Sequence, residues 1–149
     1  GSTTGNHHIT GRLIAQRLCD TRALGVQLWQ NNIEGFLHWG YNFWNTQYSY
    51  DHVDPYLHTD GDYFVPSGDT MLVYPGSDGT AWESLRLNAL REAMEDMRML
   101  SLCEAERGRD YTESLLTRIA GAPVTFRVLP PASFYPALRD AVAEALGEG

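Results

Sequence analysis

Trp39, Tyr41, Phe43 and Trp44 fall within one short stretch, interleaved with Gly40, Asn42 and Asn45. Flat aromatic faces stack on the apolar faces of sugar rings, and Asn or Asp side chains bind the hydroxyls. A pocket needs that mixture of apolar walls and a few placed polar groups. Packing offers a rival account, because large aromatics also close cores and bury most of their area there.

Other side chains invite chemistry and carry less of it. Asp51, Asp54, Asp60, Asp62 and Asp69 suggest a cation, and Asp60-Gly61-Asp62 is a fragment of a calcium loop. It lacks the regular ligand spacing and the closing Glu, and turn formation explains Asp beside Gly and Pro equally well. No His-x-x-His or Cys partner supports zinc, so neither metal nor cofactor is expected. His38 reads as a satisfied buried histidine rather than a base. Nucleophile-elbow, P-loop and dinucleotide fingerprints are missing. Glycoside hydrolysis usually needs two carboxylates at a set separation. Glu34 stands at the wrong end of a strand for that, while Glu83, Glu92, Glu95 and Asp96 read as cap and solvated helix positions. Binding residues are present; residues that would break a bond are not identifiable.

The elements that must position these groups follow from periodicity. Leu13, Ile14, Leu18, Leu28 and Trp29 mostly recur at helical spacing, predicting a helix over 13–29 closed by Asn31-Asn32. Gly25 is unfavourable inside a helix by about 1 kcal/mol, which points to a close packing contact there. The apolar run 35–39 predicts a strand covered on both faces, as in parallel sheets. α/β barrels place their sites at strand C-termini, which puts the aromatic cluster where a site belongs. From Gly40 to Gly79 turn signals and tyrosines dominate, with only 71–74 as a possible strand. So long a connection is a functional loop, and its aromatic content argues against disorder. Thr80 to Glu83 forms a capping-box pattern for a helix whose stripe runs from Trp82 to Cys103 and stops at Gly108. A shorter helix runs from Asp110 to near Gly121. An extended piece covers Val124 to Val128, and a last amphipathic helix spans about 134–146.

The chain of 149 residues carries 11 Lys+Arg against 19 Asp+Glu, a formal charge of −8, with 43% hydrophobic residues. That suits one folded domain with a single sizeable core. An acidic chain without a basic cluster argues against nucleic acid or an anionic membrane as partner. No run reaches the length of a membrane span, and no charged-then-apolar segment opens the chain, which leans the compartment to the cytoplasm. Gly1-Ser2 reads as a cloning remnant, and 1–10 as a lead-in to one domain over 11–149. The two cysteines, Cys19 and Cys103, stand far apart in apolar contexts and read as reduced, packed thiols.

The string Gly35-Phe-Leu-His-Trp-Gly-Tyr-Asn-Phe-Trp-Asn45 resembles the hallmark of the domain of unknown function 4091, a relative of the catalytic barrel of glycoside hydrolase family 123. Asp54-Pro55-Tyr56, Pro66-Ser67-Gly68-Asp69 and Val73-Tyr74-Pro75-Gly76 match in order. So do Glu83-Ser84-Leu85-Arg86-Leu87 through Glu95-Asp96-Met97-Arg98, and upstream Gly11-Arg12-Leu13-Ile14 with Thr21-Arg22. The resemblance covers nearly everything after about residue 9.

It implies a helix-rich α/β chain equivalent to the C-terminal segment of a (β/α)8 barrel, its last helix–strand–helix followed by C-terminal helices. Relatives of this kind remove β-linked N-acetylgalactosamine by substrate-assisted catalysis, in which an adjacent Asp-Glu pair protonates the leaving oxygen and orients the acetamido group. This chain contains no Asp-Glu dipeptide; Glu95-Asp96 is reversed. The implied role is therefore the aromatic wall of an N-acetylhexosamine site, with Trp39, Tyr41, Asn42, Trp44, Asp54 and Tyr56 binding carbohydrate and no catalytic residue in the chain. The rival is a non-catalytic carbohydrate-binding or structural helical module. A strand cut from its neighbours also predicts self-association, most simply as a two-fold dimer.

Overall fold

A computed structural model describes residues 10–147. The lead-in, apart from Thr10, lies outside the described residues. Four helices make one layer: α1 (Leu18–Gln30), α2 (Leu85–Arg107), α3 (Arg109–Ala120) and α4 (Phe134–Gly147). Between α1 and α2 runs a loop layer holding a short 3-10 turn (Gln47–Ser49) and an antiparallel hairpin of β1 (Val73–Pro75) and β2 (Ala81–Glu83). The hairpin register pairs Val73 with Glu83 and Pro75 with Ala81. The chain is thus helix-rich with a small two-stranded sheet.

The core lies among the helices. Val26 and Trp29 of α1, Leu100 and Cys103 of α2, Leu115 and Leu116 of α3, and Phe134, Tyr135, Leu138 and Val142 of α4 close one cluster. Removing that apolar surface from water is the main favourable term for this layer. Gly25 explains how α1 and α2 come together: a Cβ there would stand 1.8 Å from the Ala93 carbonyl oxygen. The close approach expected of Gly25 is present, made against backbone. Cys19 and Cys103 are both free thiols, the latter buried.

Several local expectations change. α1 begins at Leu18 rather than Leu13, because the residues before it form a turn in which the Gln16 side chain accepts from the Leu13 N–H at 3.1 Å. The capping-box residues 80–83 do not start α2. Ala81–Glu83 are drawn into the hairpin, and Ser84 becomes the N-cap, its hydroxyl accepting from the Leu87 N–H at 3.2 Å. The strand expected at 71–74 begins at Val73, with Met71 in an isolated bridge to Asn42. Residues 124–128 make a turn, Thr125 N–H donating to the Val128 carbonyl at 3.2 Å, not an extended piece.

Two corrections matter more. Residues 35–39 are not a strand covered on both faces: no described segment pairs with them, and Leu37 is 88% exposed and Phe36 54%. An apolar run becomes a strand only when another backbone supplies the ladder. Asp96 is no solvated position. Its side chain is fully buried and takes Arg22 through Nε at 2.6 Å and Nη2 at 2.8 Å, and Arg139 through Nε at 2.9 Å. Paired guanidinium groups are what make such a buried carboxylate tolerable.

Candidate functional site

The aromatic segment is placed by backbone pairing. Leu72 N–H donates to the Tyr41 carbonyl at 2.7 Å and Phe43 N–H to the Thr70 carbonyl at 3.1 Å, so 41–43 runs antiparallel beside 70–72. Met71 and Leu72, both almost fully buried, anchor that pair. At Gly40 the chains press closer still: a Cβ there would meet the Asp69 carbonyl oxygen at 2.5 Å. Only glycine lets 38–41 cross 69–70 at that distance.

This placement sets the six residues expected to bind. Trp39 is 46% exposed, with Phe43 and Phe64 meeting its ring edge-on at 5.4 and 5.7 Å between centroids. Its indole Nε1–H donates to Asp69 Oδ2 at 3.2 Å. Trp44 is partly buried and donates its Nε1–H to the Val73 carbonyl at 3.1 Å. Tyr41 and Asn42 are exposed beside 71–72. Asp54 Oδ1 accepts the Tyr56 N–H at 2.8 Å, an Asx turn, and Tyr56 donates its hydroxyl to the Pro75 carbonyl at 2.9 Å while packing on Tyr74. Trp44 and Tyr56 therefore both hang on β1, while Trp39 belongs with Phe43, Phe64 and Asp69. Asp54 acts first as a turn residue.

Behind Trp39 stands a polar cluster. Arg12, 7% exposed, directs Nη2 at His38 Nδ1 and at the Gly40 carbonyl oxygen. Gly40 N–H donates to the same Nδ1 at 3.1 Å, and His38 Nε2 meets Asp69 Oδ1 at 3.1 Å. Arg86, at the start of α2, donates through Nη1 to the Arg12 carbonyl at 2.7 Å and the Gly68 carbonyl at 2.6 Å, and through Nη2 to the Tyr74 hydroxyl at 3.3 Å. One buried guanidinium thus ties the 10–13 segment, the 66–69 loop and the hairpin to the helix layer.

Electrostatics fix His38. Its pKa is lowered, first by burial and next by the positive charge of Arg12. Burial also brings Arg12 down to about 10, which leaves it charged at neutral pH. His38 is therefore a neutral, hydrogen-bonded ring, as expected of it, and a poor general base. Among the described residues no group of His, Cys, Asp and Glu converges as metal ligands would. Asp69, Arg12, His38 and Arg86 carry the site's polar structure, yet in sequence all of Pro66-Ser67-Gly68-Asp69 reads as turn chemistry. In sequence Asp69 stands out only as one of five candidate cation ligands and within the Pro66-Ser67-Gly68-Asp69 match, and Arg12 only within Gly11-Arg12-Leu13-Ile14.

A cavity of about 340 Å³ opens beside this cluster, lined by Arg12, His38 and Asp69 with Leu24, Leu28 and Phe36 among its apolar walls. None of the six expected binding residues lines it. Asp69 and His38 stand between that cavity and the exposed indole of Trp39.

A family model described as glycoside hydrolase 123, catalytic domain, matches residues 3–103, which takes in α1, the whole loop layer and most of α2. No curated protein matches the chain.

Proposed function

The chain belongs to the family of the glycoside hydrolase 123 catalytic domain, and from that premise we propose that it supplies the aromatic sugar-binding wall of an N-acetylhexosaminidase-type site. Trp39 is the stacking platform, with Tyr41, Asn42, Trp44, Asp54 and Tyr56 around it. The observation that carries this reading is the half-exposed indole of Trp39, braced edge-on by Phe43 and Phe64 and hydrogen-bonded to Asp69. A residue serving only as core would be buried. The acid and the orienting carboxylate lie outside these residues, since the chain has no Asp-Glu pair. In this reading α1, the apolar 35–39 segment and α2 correspond to the closing helix–strand–helix of a barrel. The bare side chains of Phe36 and Leu37 support that correspondence, and they are also the surface through which two copies would associate.

The test is titration with N-acetylgalactosamine, followed at the indole N–H signals. Saturable shifts confined to the Trp39 and Trp44 signals support the reading, and Trp39→Ala then weakens binding by about 1–3 kcal/mol, as for other aromatic stacking on flat rings. A chain indifferent to the sugar at saturating concentration overturns it. No hydrolysis of an aryl N-acetylgalactosaminide is expected from the chain alone, because general acid catalysis is worth about 10²–10⁴-fold and no acid is placed to give it.

One observation favours the second reading, a helical module that folds by itself: α1 to α4 close their own core without help from the loop layer. Light scattering separates the two. A clean monomer with a cooperative melt favours the module, and a dimer favours the barrel segment.

A further inference from the structure

Arg12, His38, Asp69 and Trp39 form one hydrogen-bonded line from a buried cation to an exposed aromatic ring. Its direction can be worked out atom by atom. Gly40 N–H and the Arg12 guanidinium can only donate, and both face His38 Nδ1. Nδ1 must therefore accept, which places the imidazole proton on Nε2. That proton is donated to Asp69 Oδ1, and the other carboxylate oxygen receives the Trp39 indole N–H. Asp69 balances the buried charge of Arg12 through a neutral imidazole and spends one oxygen on each ring.

We propose that Arg12, His38 and Asp69 are positioning residues that set the plane of the Trp39 indole before a sugar arrives. The inference rests on the sugar-wall reading of Trp39 and deepens it. The edge contacts of Phe43 and Phe64 hold the indole laterally, but an aromatic ring can still rotate about its side-chain bonds. The Asp69 carboxylate removes that freedom by gripping Nε1, and His38, itself held at both nitrogens, removes it from Asp69. Stacking is sensitive to ring orientation, and a side chain ordered in advance need not be ordered by the ligand. Asp69 is 14% exposed and His38 10%, so both act from behind the platform.

The experiment compares the full chain with Asp69→Asn and His38→Gln by ¹H–¹⁵N spectra of the four tryptophan indoles, with Trp39→Phe identifying the Trp39 signal. Asp69→Asn keeps the shape but removes a carboxylate oxygen. It is expected to move the Trp39 indole signal and speed its exchange with solvent. The Trp29 and Trp44 signals, whose N–H groups donate to Glu104 and to the Val73 carbonyl, stay in place. Affinity for N-acetylgalactosamine falls about three- to tenfold, the scale of re-ordering one side chain on binding. Should Asp69→Asn fail to fold, His38→Gln carries the same readout one step further back, with a smaller shift. A Trp39 signal that does not move in a folded Asp69→Asn chain overturns the positioning line while leaving sugar binding intact. A signal that moves on Asp69→Asn while the parent chain itself has no affinity for the sugar overturns the sugar-wall reading instead, and the proposed purpose of the line with it.

Discussion

Gly25 and Ala93 meet backbone to backbone, at a distance where a single added methyl would stand 1.8 Å from a carbonyl oxygen. That contact brings α1 and α2 close enough for Leu24, Leu28 and Ala93 to share a cluster. Intrinsic helix propensity would favour Gly25→Ala by about 1 kcal/mol, but overpacking against an immovable backbone costs about 1–3 kcal/mol or more. The net effect is therefore a loss of stability, read as a lower denaturant midpoint. A Gly25→Ala chain that is more stable than the parent would mean the helices separate freely.

The buried carboxylate between Arg22 and Arg139 gives the second prediction. Asp96→Ala leaves both guanidinium groups facing a fully buried void, and breaking such a pair costs about 3–5 kcal/mol. Arg139 is more than a third exposed and keeps Glu92 and Glu95 as partners, which holds the loss near the lower figure. A double change, Asp96→Leu with Arg22→Met, recovers part of it. Chemical denaturation of the three chains checks this, and a single variant as stable as the parent would refute it.

Exposure decides the third. Leu37, set in the apolar 35–39 run, looks like core in sequence, yet stands 88% exposed. At concentrations where the chain is a monomer, Leu37→Ala is expected to change stability by no more than about 0.5 kcal/mol, as at other surface positions. Leu138→Ala, from the fully buried centre of α4, should cost about 2–5 kcal/mol. Parallel urea melts decide, and a Leu37→Ala loss as large as that at Leu138 would show that 35–39 is covered in solution.

The fourth concerns pH. His38 has its pKa lowered by burial and by Arg12, while in the unfolded chain it titrates near about 6.5. Below that pH the unfolded state binds the additional proton, so stability contributed by neutral His38 is present above about 6.5 and is lost as pH falls toward the folded pKa. Comparing unfolding of the parent and His38→Gln, followed at the Trp39 indole across this window, isolates the contribution. The parent curve should fall more steeply with acidification than the variant's, and parallel curves would count against a buried neutral imidazole.

The helices were readable because their information is local. The α2 stripe from Ala89 to Cys103, its stop at Gly108 and the extent of α3 and α4 follow from spacing and termini within a few turns, whereas Trp82 and Leu85, counted in the stripe, stand exposed. What misled was non-local. Thr80–Glu83 and Ser84 both carry capping chemistry, and the choice falls to Ser84 only because Val73 claims Glu83 for a hairpin. Asp96 looks solvated until Arg22 and Arg139 arrive from far along the chain. The exposed aromatic stretch was visible as residue types, including Trp39 itself. The line behind it was not, because Arg12, His38 and Asp69 are separated by intervals that no short pattern spans.

The division into a helix layer and a loop layer also bears on how damage to this molecule would show itself. Most of the buried apolar surface sits among α1 to α4, whereas the loop layer rests on Met71, Leu72, Val73 and the reach of Arg86. Regions with little buried surface open at lower free energy than the whole. The aromatic face can therefore come apart and re-form while the helices stay shut, and a melting curve will register the helices alone. A variant whose aromatic face has collapsed can melt like the parent, so integrity at Trp39 has to be watched at Trp39.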